Sequence, residues 1–84
     1  MPQYLDHHPA SGPPSQEMVS QATQGLKAGR SDPATGVKGL SWMYNDNEQW
    51  CITEAPDASA VHKYHEAMGF NLGPGDVTEI KLVR

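Results

Sequence analysis

Cysteine occurs once in this chain, at Cys51, so no internal disulfide can brace it. Basic residues are also few: 6 Lys and Arg stand against 10 Asp and Glu, for a net charge of −4. They are scattered, and the clustered cations that phosphate contacts need are missing, which argues against nucleic acid as a partner. No apolar run approaches the ~20 residues that span a bilayer, and the N-terminal stretch lacks the basic and apolar regions of a signal peptide. No membrane role is therefore expected, and the bland expectation is a cytoplasmic protein, with a single cysteine that suits a reducing compartment. The glycines around Pro74 have neither the Gly-Lys-Ser/Thr ending nor the following helix of a phosphate loop, so a nucleotide site is not expected there. With 84 residues the expectation is a single domain, 1–84. A chain of this size buries only ~60–65% of its unfolded surface and is marginal alone. A metal ion, a partner subunit or both remain as supports.

What is present is a regular alternation of short elements. Gln3 to His7 reads as a strand with Tyr4, Asp6 and His8 on one face and Leu5 and His7 on the other. Pro9-Ala10-Ser11-Gly12-Pro13-Pro14 stops it as a loop. Ser15 is a plausible N-cap, and Met18, Val19, Ala22 and Leu26 recur at helical spacing until Gly29 or the Arg30-Ser31-Asp32-Pro33 turn. Val37 to Tyr44 reads as a second strand, Asn45-Asp46-Asn47-Glu48 as a hairpin turn, and Trp50 to Glu54 as a third strand dividing Trp50, Ile52 and Glu54 from Cys51 and Thr53. Asp57 or Ser59 can cap a second helix that turns Ala58, Val61, Tyr64, His65 and Met68 inward, with Gly69 as its left-handed end. Asp76 to Val83 reads as a last strand.

The order β-α-β-β-α-β predicts an α+β, ferredoxin-like sandwich: a four-stranded antiparallel sheet with two helices on one face. In the arrangement expected here, the first and third strands lie side by side and parallel at the centre, bringing Asp6, His8 and Glu54 to one edge. Apolar residues fall on both sheet faces and two helices cover only one, so a homodimer is expected.

Histidine is the strongest chemical lead, because imidazole is a common ligand for nickel, zinc and copper. Four are present, as Asp6-His7-His8 and as His62-x-x-His65. His8 shares a face with Asp6, whereas His7 points away. His65 has two readings, a core imidazole bonded to a backbone carbonyl or a ligand, and His62 falls at the edge of the apolar stripe. Glu54 is either an oxygen ligand or an anchor for the following turn. Cys51 reads more readily as a small buried core residue than as a nucleophile.

The stretches Leu5-Asp6-His7-His8, Cys51-Ile52-Thr53-Glu54-Ala55-Pro56-Asp57-Ala58 and Ala60-Val61-His62-Lys63-Tyr64-His65-Glu66-Ala67-Met68-Gly69 together resemble the small bacterial nickel-binding, ferredoxin-like family long catalogued as a domain of unknown function. The most specific parts are the Cys-x-x-Glu-Ala-Pro corner and the Val-x-x-x-His-Glu-x-x-Gly helix. The resemblance implies a dimeric ferredoxin-like fold that binds a divalent transition metal, with nickel as the ion. Asp6, His8, Cys51, Glu54 and His65 fall on matching positions, while His7 and His62 look like additions. The resulting expectation is a cytoplasmic homodimer that holds Ni²⁺, or a similar ion such as Zn²⁺ or Cu²⁺, through His8, His65, Asp6 and Glu54, for sequestration or delivery. The alternative is a small dimeric α+β-barrel enzyme, of monooxygenase or isomerase type, using His65 as acid or base in a pocket between sheet and helices.

Overall fold

A computed structural model describes residues 1–9 and 12–83. Six elements follow one another: β1 (Gln3–Pro9), α1 (Gln16–Ala28), β2 (Lys38–Tyr44), β3 (Glu48–Glu54), α2 (Ala58–Ala67) and β4 (Val77–Ile80). The strands form one sheet in the order β2-β3-β1-β4, with every neighbouring pair antiparallel. This is an α+β architecture compatible with a ferredoxin-like sandwich. Among the described residues no helix is long and apolar enough to cross a membrane. Of the loop read at positions 9–14, Ala10 and Ser11 lie outside the described residues, and β1 itself runs on to Pro9.

Local chemistry sets the element ends. The Ser15 side chain accepts a hydrogen bond from the Met18 N–H at 3.1 Å and starts α1, and Gly29, at φ 62°, ends it. Asp57 repeats the device on α2, accepting from the Ala60 N–H at 2.8 Å. Between β2 and β3, Asn45 Oδ1 accepts from the N–H groups of Asn47 and Glu48, which closes the hairpin.

Two expectations need correction. β1 and β3 are central neighbours, but they run antiparallel rather than parallel. The reason is in the connections: the α1 crossover brings β2 back in the direction of β1, and the tight hairpin then reverses β3. Glu54 is therefore opposite Gln3, at the far end of β1 from His8, which is opposite Gln49. The last strand is also shorter than expected, ending at Ile80 rather than Val83. Ile80 pairs with Gln3, the first residue of β1, and beyond it there is no strand left to pair with.

The buried apolar core consists of Tyr4, Val37, Ala55, Ala60 and Val61, with Ala58, Tyr64 and Val77 packed against it. α2 thus buries Ala60, Val61 and His65, whereas Met68, expected inward, is about half exposed. α1 buries no residue at all; its apolar side walls a cavity between the two helices and the sheet.

Candidate metal centre

The site starts from strand alternation. Asp6 and His8 are two apart on β1 and share a face. Cys51 is the registered partner of Asp6 across the β1–β3 ladder and stands on that same face. α2 crosses above and brings down His65. One ligand atom from each of Asp6, His8, Cys51 and His65 lies within 4.8 Å of the others. His65 Nε2 is 3.2 Å and His8 Nε2 3.7 Å from Asp6 Oδ1, and Cys51 Sγ is 3.9 Å from His8 Nε2. Asp6 is 0% exposed, His65 1% and His8 4%. Three polar side chains have been taken out of water at one point, which is costly unless their charges and lone pairs are met.

Within the described residues they are not met. Neither oxygen of Asp6 has a hydrogen-bond partner, and His8 Nδ1 has none either. The close approach of His65 to Asp6 is an ion-pair contact without hydrogen-bond alignment. His65 Nδ1 is 2.9 Å from the Val61 carbonyl, one turn back along α2, and a carbonyl can only accept, so Nδ1 donates. In the neutral ring Nε2 then carries a lone pair, and it faces a carboxylate oxygen 3.2 Å away. Two acceptors at that distance require a proton between them, on either atom, or a cation. A carbonyl bond at one nitrogen that leaves the other free is the usual way an imidazole is oriented for a metal.

The titration behaviour follows the same geometry. Burial pushes the His65 imidazole down, but its contact with Asp6, the Val61 carbonyl and the Asp6 charge together outweigh burial and raise it above its ordinary value. His8 goes the other way, since burial lowers it more than the Asp6 charge restores it and His65 adds to the lowering. The Cys51 thiol is pushed up to about 12, first by burial and then by Asp6. Without a metal the sulfur keeps its proton. Coordination would displace that proton, because a metal-bound thiol is deprotonated outright.

The end of α2 closes the site. Gly69, at φ 90°, lets its own N–H reach the Glu66 carbonyl while the Phe70 N–H reaches the His65 carbonyl, the paired bonds of a Schellman turn. That turn folds Phe70 back until its ring lies 4.7 Å from the ring of His8. Gly69 was read from sequence as the helix end; its further consequence is an apolar cover over one imidazole of the group.

Of the residues singled out in the sequence, Asp6, His8 and His65 come together, and Glu54 does not join them. Glu54 alternates with Cys51 and Thr53, falls on the opposite sheet face, and pairs with Gln3 and Lys38. His7 also turns away, to Glu48 at 2.6 Å and to the ring of Trp50 at 5.5 Å. His62 is not in the group. Cys51, read as a core residue, is in it. Its signal was the register: once the third strand is antiparallel to the first, Cys51 is the cross-strand neighbour of Asp6. No family model, curated protein or solved structure matches this chain. The donor set itself, two nitrogens with one sulfur and one oxygen, suits borderline divalent ions such as zinc, nickel and copper.

Proposed function

We propose that this protein binds a divalent transition-metal ion through Asp6, His8, Cys51 and His65 and serves in its sequestration or delivery. The observation that carries the reading is the fully buried Asp6 carboxylate, with no hydrogen-bond partner on either oxygen and two imidazoles and a thiol around it. A purely structural cluster gains little from this arrangement, because a buried carboxylate with no hydrogen bond offsets its desolvation only through the His65 contact. A cation bound there would compensate the carboxylate, the His65 lone pair and the sulfur at once.

Nickel is the ion we favour, on the resemblance carried by the Cys51 to Ala58 corner and the Val61 to Gly69 helix. Ligand type alone would favour copper on affinity, so selectivity would come from geometry and from which metal is available. We also place the protein in the cytoplasm as a homodimer, with the sheet face that carries Leu5, Trp50 and Ile52 against its copy. Sedimentation of Ile52→Lys beside the unaltered chain checks the dimer, which this charge should dissociate.

The test of the metal reading is calorimetric titration of chelator-stripped protein with Ni²⁺, Zn²⁺ and Cu²⁺, repeated on His8→Ala, His65→Ala and Glu54→Ala. Stoichiometric binding should be lost in the two histidine variants and kept in Glu54→Ala. No binding, or binding unchanged in both histidine variants, sinks the proposal. A second reading has one observation in its favour: His65 is in the wall of a cavity of about 360 Å³. That suits a small dimeric α+β enzyme with His65 as acid or base. Turnover that persists in chelator and vanishes in His65→Ala would favour it over the metal reading.

A further inference from the structure

The cavity and the metal group share three residues. His8, Cys51 and His65 are both donors and cavity wall, whereas Asp6 is a donor outside the lining. The rest of the wall is largely apolar, with Met18, Leu26, Trp42, Tyr64, Met68 and Phe70 as its large side chains and the uncharged Gln21, Ser41 and Gln49 between them. Among the described residues no Lys, Arg, Asp or Glu lines it. Thr53 also lines it; this residue is 2% exposed, and its Oγ1 has no hydrogen-bond partner among the described residues. At about 360 Å³ the space falls within the ordinary range of small-molecule pockets, ~300–1,000 Å³. Its outer wall is α1, the helix with no buried residue.

We infer that this cavity takes a small, neutral, mainly apolar molecule bearing one nitrogen or oxygen donor, and that this donor binds the metal ion held by Asp6, His8, Cys51 and His65. The inference rests on the metal reading above. Neutrality follows from charge: a carboxylate and a thiolate already balance a divalent ion, and a charged ligand would find no counter-ion in the wall. The apolar body follows from the six side chains it would touch, and Thr53 Oγ1 offers one hydrogen bond to the head group.

The probe is 4-phenylimidazole, added to chelator-stripped protein loaded with Co²⁺ and followed by the visible absorption of the ion. Imidazole and benzoate are the comparisons, one lacking the apolar body and the other carrying a charge. The expected result is a spectral change with 4-phenylimidazole at least ~10-fold tighter than with imidazole, equal to ~1.4 kcal/mol from the buried ring, and none with benzoate. Ala22→Trp on α1 and Met68→Trp beyond α2 should each keep the Co²⁺ spectrum and lose the preference for 4-phenylimidazole. A Co²⁺ spectrum that ignores 4-phenylimidazole, answers both imidazoles equally, or keeps its preference in both tryptophan variants overturns the inference alone. A protein that gives no Co²⁺ spectrum at all overturns the metal reading and this inference with it.

Discussion

On β1 and β3 the side chains turned towards the helices are Tyr4, Asp6 and His8 with Gln49, Cys51 and Thr53, while those turned away are Leu5 and His7 with Trp50 and Ile52. The covered face is the polar one. Asp6, His8, Gln49 and Thr53 are all buried, and Leu5, Trp50 and Ile52 on the other side are only half-buried. Hydrophobicity alone would have covered the opposite face. An exposed apolar residue needs no special explanation, but a buried group of polar ones does. The contrast teaches that polar chemistry, and not apolar burial, organises the inner face of the two central strands, and the two faces should respond differently to substitution.

The largest difference is expected from the ion. At a thousandfold excess over its dissociation constant, a bound metal stabilises the fold by ~4 kcal/mol, read as a rise in thermal midpoint that chelator reverses. His8→Ala and His65→Ala should abolish that rise. Loss of even an outer partner of a ligand costs ~10–100-fold in affinity, so direct ligands should cost more. Trp50→Ala, on the outer face, should leave the rise intact.

Asp6→Asn sharpens the contrast further. Removing a buried charge that has no hydrogen bond should not destabilise the metal-free protein, and its thermal midpoint at mildly alkaline pH should stay level or rise. The variant should nevertheless lose metal binding. A fall in metal-free stability, with binding kept, would make Asp6 a structural residue.

The pH dependence of the metal-free protein comes next. His65 is raised, so the folded state holds its proton more tightly than the unfolded chain, and its stabilisation is complete below the ordinary value of 6.5 and fades as pH rises through the higher folded value. His8 is lowered, so its contribution is present above 6.5 and is lost as pH falls through its folded value. The two oppose each other. Cys51 has no such opponent: raised from 9.0 to about 12, it should draw stability down across that interval. Thermal unfolding of chelator-treated protein over this range should show the decline, and Cys51→Ser should reduce it to the part left by the Tyr4 and Tyr64 hydroxyls, which are also raised, first by burial.

Smaller effects belong to features that serve neither face's chemistry. Asp57→Ala removes the cap that aims α2 at the site and should cost ~1 kcal/mol in chemical unfolding. His7→Ala, which breaks a partly exposed pair with Glu48, should cost less than ~1 kcal/mol and leave metal affinity unchanged.

Much of this fold is legible in local chemistry. Ser15 and Asp57 announce the helices they cap, Gly29 and Gly69 end them, and the Asn45 turn joins two strands whose alternation sorts Cys51 and Thr53 from Trp50 and Ile52. His8 and Asp6 can be placed together because they are two apart on a strand. Cys51 and Glu54 could not be sorted in the same way, since their distance from Asp6 depends on the direction and register of a pairing between segments far apart in the chain. A strand run parallel would have brought Glu54 to the end of β1 that holds His8; run antiparallel, it brings Cys51 opposite Asp6.

Sequence by itself therefore determined the order of the elements and which residues of β1 and β3 share a face, because turns, caps and a period of two act between neighbours. Only the tertiary structure decided which face the helices would cover and which donors would meet. Those outcomes depend on how the α1 crossover and the hairpin orient the central strands and on where α2 sets His65 down. On the two central strands the more apolar face is the other one.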